Sequence, residues 1–304
     1  MQTPMRVGLS ALILVSSFLF GQVKGPSDGT LNIGFTSGYF VDVNAADGLA
    51  ATKVWADAIV QKKSLNLDTR SMVFSDLIEL ERAVKEAKVD VVALLTREFL
   101  SVEGRVPLEP HFVAQNRGKV NDECLLMVHD RSGVKSLEEL QSKDILISDD
   151  VRDSLGKIWL ESVVMAKGYV SLEAFFGKVR SIRKPSQALL PVFFRQADAC
   201  LINSDSFNTM AELNPQLRRD LKLIAKSPAG TVTVICIRTG YKSPLRDLLI
   251  ESLGNLHADP RGQQILTLFK VEKLVPFEPS FLESARQLVL DHRKQEARVK
   301  GGRS

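Results

Sequence analysis

The chain has 304 residues, 44% of them hydrophobic and 25% charged. This balance excludes a disordered chain, which would carry fewer apolar residues, and a coiled coil, which would need a long charged heptad pattern. The length accommodates about two domains. Forty Lys and Arg against 36 Asp and Glu leave a net charge of +4, and the 7% aromatic content shows no base-stacking excess, so nothing here points to a nucleic-acid partner.

At the N-terminus, residues 7–21 form an apolar run after Arg6 that is shorter than the roughly 20 residues needed to cross a bilayer. It reads as a signal peptide over residues 1–25, with Gly21 or Gly25 preceding the cut, and it implies export to the periplasm. The alternative is an uncleaved anchor. The segment LFGQ has a lipoprotein outline, but Gln22 stands where the lipid-bearing Cys would be, which excludes thioether lipidation.

The next run, LNIGFT (31–36), reads as a strand ending in a polar loop, and Ala45–Lys63 as an amphipathic helix. The unit recurs: Thr69–Phe74 is strand-like, Asp76 caps a helix to about Ala87, and VDVVALL (89–95) is a buried strand of parallel-sheet type. Extended segments PLEPHFVAQ and ECLLMVH flank the polar NRGKVND, a candidate crossing between lobes. Beyond it come a short helix at SLEEL (136–140) and a strand at DILIS (144–148). Asp153 or Ser154 caps a helix to Lys167 that Gly168 ends. A helix over Ser186–Gln196 leads into the buried strand ADACLIN (197–203). Extended segments at 221–228 and 231–240 bring the chain back, and mainly helical sequence follows from Pro244. The basic end, 292–304, lacks apolar periodicity and reads as a solvated tail.

AVKEAKVDVVALLT (83–96) and VFFRQADACLINS (192–204) resemble one another, each passing from a helix end through Asp90 or Asp198 into a buried strand with a polar finish. Both aspartates read as structural groups that satisfy local N–H donors. The repeat predicts an α/β chain of two lobes, with 26–111 plus 229–304 as lobe one and 112–228 as lobe two. Cys124, Cys200 and Cys236 sit in apolar strands and read as buried thiols, although a Cys124–Cys200 disulfide stays open. The four scattered histidines have no metal-ligand spacing, and no cofactor is predicted.

Open α/β sheets bind ligands beyond the carboxyl ends of their strands, where helix N-termini and free N–H groups point. The candidates at those ends are Thr36, Ser37 and Tyr39, then Thr96 and Arg97, then Arg152 and Ser154 within the Ser148–Ser154 stretch, and Asn203 with the adjoining Ser204 and Asp205. Facing lobes would bring them into one cleft suited to a small polar molecule. Each is also a residue type common at turns and caps. No GxSxG elbow, phosphate loop or GxGxxG turn is present, and no catalytic carboxylate pair is evident.

Several segments in this order carry a resemblance: LNIGF, KVWADAI, VDVVALLTREFL, SGVKSLEELQSKDILIS, MAKGY and RQADACLINSDSF. With them the chain resembles the phosphonate-binding family of periplasmic solute-binding proteins, capture subunits of ABC importers for phosphate, phosphite and phosphonate compounds. The resemblance implies a two-lobed, type II periplasmic binding protein fold with a ligand cleft between lobes, a monomer that closes on a small oxyanion and docks on an inner-membrane permease, and no enzyme activity. It further implies an oxyanion held by hydroxyls and amides of a Ser-Thr-Ser-Gly type loop at a helix N-terminus. In SDDVRDSLG (148–156) only Ser154 keeps such a hydroxyl, with Arg152 and Asp153 in neighbouring places. A strand-end aromatic of the family is replaced near Leu94, and an acidic residue ahead of QALL gives way to Lys184 and Pro185. Asp149, Asp150 and Asp153 would repel an anion, whereas Arg97 or Arg152 would clamp one. An oxyanion is the expected ligand, with a cationic or neutral polar solute as the alternative. A periplasmic sensor that docks on a membrane receptor kinase and an exported enzyme on the same fold remain alternative roles.

Overall fold

The computed structural model describes residues 29–40, 43–62, 64, 67–150, 153–242 and 245–301. The predicted signal peptide and Arg152 lie outside the described residues.

The first half runs β1 (Thr30–Thr36), α1 (Ala45–Lys62), β2 (Asp68–Phe74), α2 (Leu77–Lys85), β3 (Val91–Leu95), α3 (Thr96–Val102) and β4 (Leu108–Gln115). The short β5 (Asn121–Asp122) follows, then β6 (Cys124–His129), β7 (Asp144–Ser148), α4 (Ser154–Ala166), α5 (Leu172–Phe175), β8 (Lys178–Ile182), α6 (Pro185–Phe193), β9 (Ala199–Asn203) and α7 (Ser204–Leu213). The chain ends with α8 (Gln216–Asp220), β10 (Leu221–Lys226), β11 (Gly230–Thr231), β12 (Thr233–Arg238), α9 (Leu245–Gly254), α10 (Pro260–Leu268), β13 (Lys273–Pro276) and α11 (Glu283–Gly301).

Two sheets form from these strands. The first has the order β13-β4-β12-β3-β1-β2, and the second β10-β6-β9-β7-β8. Their centres are built alike: β1 lies parallel between β2 and β3, β7 lies parallel between β8 and β9, and the next strand, β12 or β6, is antiparallel. The internal sequence resemblance has a physical basis in this pairing. Asp90, just before β3, accepts hydrogen bonds from the Asn32 N–H at 3.0 Å and its side-chain amide at 3.2 Å, and pairs with Arg238 at 2.8 Å. Asp198, just before β9, accepts from the Asp144 N–H at 2.9 Å. Each carboxylate thus fastens the foot of its strand to the neighbouring parallel strand, so both strands deliver their opposite ends to the same edge.

Two crossings join the sheets, and they pair as a two-stranded ribbon, Asn121 with Thr231 and Asp122 with Gly230. β4 remains in the first sheet through Gln115, beyond the break at 111 read from the sequence, because its last residues pair with β12 and β13. The basic end is not a loose tail: α11 runs to Gly301, buries Ala285 and Leu288 in the core of the second lobe, and sets His292 Nε2 2.9 Å from Glu161 of α4. Two apolar anchors near the start of α11 and one polar pair farther along hold the helix where periodicity alone gave no signal. Arg286 pairs with Glu103 at the end of α3, so α11 spans both lobes.

All three thiols are free and buried. Cys124 packs in one apolar cluster of the second lobe and Cys200 in the cluster on the other side of the sheet, which rules out their pairing. α4 lies so close to β6 that Gly156 leaves no room for a Cβ against the Cys124 Sγ.

Asp90 is 3% exposed, so truncating it strands the Arg238 guanidinium and two N–H donors in the interior. Asp90→Ala is expected to cost about 3 kcal/mol of stability, read as a lowered denaturant midpoint, whereas the same change at exposed Asp247 should leave it nearly unmoved.

Candidate functional site

The carboxyl ends of β1 and β3 face the carboxyl end of β7 and the first turn of α4. Between them lies a cavity of about 310 Å³ bordered by Gly38, Leu95 and Arg97 on one side and by Ser148–Asp150, Asp153, Ser154 and Lys157 on the other. A second hollow of about 760 Å³ adjoins it toward the crossings and shares Asp150 and the Ser37–Phe40 turn, here through Tyr39. It is walled by Thr233, Phe269 and Lys270 opposite Asp122 and Asp205. Lys270 reaches Asp150 across the cleft at 3.8 Å, an ion pair between the two lobes.

The predicted residues divide into those at the surface of this cleft and those behind it. Arg97 is exposed and Ser154 half-buried, and both line the smaller cavity. The Ser154 hydroxyl is itself shielded from solvent and has no hydrogen-bond partner. Tyr39 borders the larger hollow, with its ring packed against Phe35 and Phe269 at centroid distances of 5.7 and 5.2 Å. Thr36 is buried and donates its hydroxyl proton to Glu98 Oε2 at 2.6 Å. Thr96 is fully buried with an unpartnered hydroxyl. Asn203 is fully buried too; its Oδ1 caps α7 through the Ser206 N–H at 2.8 Å, and its amide donates to Asp153 Oδ1 at 3.2 Å. Ser37 turns away, donating to the Ser75 carbonyl at 3.2 Å. The structure therefore brings Tyr39, Arg97 and Ser154 to the cleft surface, and sets Thr36, Thr96 and Asn203 in its supporting layer.

Sequence reasoning passed over Glu98. This buried carboxylate receives both the Thr36 hydroxyl and, at 3.0 Å, the Leu95 N–H, tying together the loops after β1 and β3. Its position three residues beyond the strand end, at the spacing by which Glu reaches back to an N-terminal N–H, was the available signal. Asp122 was also missed; it accepts the Ser204 hydroxyl at 2.5 Å and anchors the start of α7 to the crossing ribbon.

Asp153 does not cap α4 with its side chain. Its Oδ1 takes the Asn203 amide and the Cys124 thiol, the latter at 3.8 Å, while Oδ2 has no partner. Burial raises its pKa well above the carboxylate range, reinforced by the charges of Asp150 and Asp122 and opposed by the neighbouring Ser148 hydroxyl and the Asn203 amide. Burial likewise raises Asp122. The inner wall is thus rich in carboxyl groups, and cationic Arg97, Lys157 and Lys270 stand at the rim. Among the described residues no group of three or more His, Cys, Asp or Glu side chains is arranged to hold a metal ion.

Residues 42–281 match the family described as the periplasmic substrate-binding protein of phosphonate ABC transporters. The chain belongs to that family. Its fold is accordingly the two-lobed, mixed α/β type II periplasmic binding protein fold. Solved structures agree. XAC2383 of Xanthomonas citri, bound to chloride, has a TM-score of 0.65 at 14% identity, covering 88% of this chain and 99% of its own. A phosphonate transporter's binding component from Pseudomonas aeruginosa gives 0.60 at 16% identity over 89% of each chain. PhnD1 of Prochlorococcus marinus, in complex with methylphosphonate, gives 0.59 at 14% identity, covering 87% of this chain and 98% of its own. No curated protein sequence matches the chain.

Burial pushes the Tyr39 phenol up to about 12, with the Glu98 charge adding to the rise and the Thr233 hydroxyl opposing it. Because the neutral phenol is the form favoured by folding, its contribution to stability is intact below pH 10 and lost as pH climbs toward 12. Ultraviolet titration of the folded protein should show a late-ionising step from Tyr39 that Tyr39→Phe removes.

Proposed function

We propose that this chain is the capture subunit of an ABC importer, exported to the periplasm, which closes its two lobes on a small solute bearing a phosphonate-class oxyanion. The observation that carries this reading is the cavity bordered both by the first turn of α4, where the Ser154 hydroxyl lacks a partner, and by Arg97 of the other lobe. A helix N-terminus and a guanidinium are the two donor types that best stabilise a multivalent oxyanion. A solute touching both stabilises the closed arrangement, because only there does it gain both sets of contacts. Tyr39 shapes the apolar side of the site, and Thr36, Thr96 and Asn203 hold its walls. The protein acts as a monomer, carries no cofactor, transforms nothing, and hands its cargo to a permease in the inner membrane. The lobes meet in this reading near the two crossings, with α11 bridging them.

A second reading has its own support. Asp150 and Asp153 are 6% and 2% exposed and border the cleft, which favours a solute with an ammonium group.

Thermal-shift measurements with phosphate, phosphite, methylphosphonate, sulfate and a polyamine separate the two. The oxyanion reading expects at least one anion to raise the melting temperature, by mass action on the folded form, and the polyamine to leave it unchanged. Arg97→Ala should then weaken binding of that anion by roughly tenfold or more, the loss of a charge-assisted hydrogen bond, and Ser154→Ala by a few-fold. A shift with the polyamine alone would overturn the reading.

A further inference from the structure

We propose that Asp153 binds the oxyanion as a hydrogen-bond donor, its Oδ2 bearing a proton that it shares with one ligand oxygen, so that capture of the anion depends on the protonation state of this single carboxyl group. The proposal rests on the oxyanion reading above and assigns a specificity-determining role to a buried carboxyl group beside the cavity.

The geometry makes the two carboxyl oxygens unequal. Oδ1 is committed to the interior, accepting from Asn203 Nδ2 at 3.2 Å and facing the Cys124 thiol at 3.8 Å. Oδ2 is shielded from solvent and has no partner in the protein, yet the side chain borders the cavity shared with Arg97 and Ser154. An ionised carboxylate would leave a charged oxygen buried and unsatisfied there, a costly arrangement. With a proton on Oδ2 the requirement reverses: the group becomes a donor that lacks only an acceptor, and an oxyanion in the cavity is one. The adjacent Ser154 hydroxyl is in the same condition. Two neighbouring side chains at the start of α4 therefore hold unused hydrogen-bonding capacity just behind the wall of one cavity.

Burial and the surrounding carboxylates favour the neutral acid, against the Ser148 hydroxyl and the Asn203 amide, which favour the ionised form. On the loop before Asp153, Asp149 and Asp150 border the cavity, and Asp150 raises the carboxyl pKa. From the strands behind come Asp122, which adds to the rise, and the neutral Cys124 thiol, itself pushed up by burial. α4 contributes Lys157 and Glu161 at the cavity, and the opposite lobe contributes Arg97. The carboxylates nearest Asp153 favour its neutral form, and the cations lie on the side from which an anion would enter. No covalent step is involved; the proton remains on the carboxyl group or within its hydrogen bond to the ligand.

The test is the dissociation constant of the wild-type protein, Asp153→Asn and Asp153→Ser for methylphosphonate and for methanesulfonate between pH 5 and 9. Methanesulfonate stays fully ionised throughout, and the titration of methylphosphonate is common to all three proteins. Wild-type affinity should fall with rising pH, approaching a tenfold steeper loss per pH unit than either variant once Asp153 ionises. Both variants, each keeping a donor, should bind within a few-fold of wild type at pH 6. Identical pH profiles in all three proteins, with the Asp153 carboxyl carbon resonance of the complex at the ionised position at pH 6, overturn the proposal while leaving oxyanion capture standing. So does a loss of more than tenfold at pH 6 in a variant that melts like wild type, since that would mark an ionised carboxylate as the working form. Should Asp153→Asn fail to fold, Asp153→Ser decides. Failure of the wild type to bind either anion removes the oxyanion reading and this proposal with it.

Discussion

The parallel seating of β3 on β1 and of β9 on β7 sets where the polar loop tips of this protein gather. Each pair is fastened at its foot by a carboxylate, Asp90 to Asn32 and Asp198 to the Asp144 N–H. Once the feet are fixed, the carboxyl ends of the strands lie side by side, and the loops that follow them are brought to one edge of each sheet. The crossings then turn the two edges toward each other. Asp90 and Asp198 sit at the feet of their strands and reinforce the register that brings the polar loops together at the other end.

Within the cleft, charge and burial compete. Rim cations, Arg97, Lys157 and Lys270, offer an entering anion attraction that salt screens. The inner wall offers carboxyl groups that would repel it if ionised. The burial of Asp153 favours its neutral acid, and the cross-cleft contact with Lys270 moderates the charge of Asp150. Glu98 is engaged by Thr36 and Leu95 and acts within its own lobe.

Much of the architecture was legible because it is local. The alternation of apolar runs with capped helices placed β1, β3, β7 and β9, and Asp76 caps α2 as read, accepting the Glu79 N–H at 2.8 Å. The repeated Asp-to-strand passage was visible as sequence similarity, and its meaning came from register. What escaped depended on contacts distant in the chain. α11 holds through Ala285 and Leu288 against a lobe some hundred residues earlier, so its own periodicity carried little information. In the site, residue types were readable but directions were not: Ser37 looks away to Ser75, Tyr39 is held by an aromatic cluster, and Asn203 works through Asp153. A strand end reveals that a hydroxyl is near a cleft, and only packing decides whether it faces in.

Closure of the lobes on a solute is the claim on which the functional account stands. The distance between spin labels placed on exposed Gln61 of the first lobe and exposed Lys178 of the second reads it directly, because the three native thiols are buried and do not compete for label. Titration with the anion that binds should replace a longer, broader distance distribution with a shorter, narrower one at saturation. Binding that saturates while the distribution stays unchanged would contradict the account.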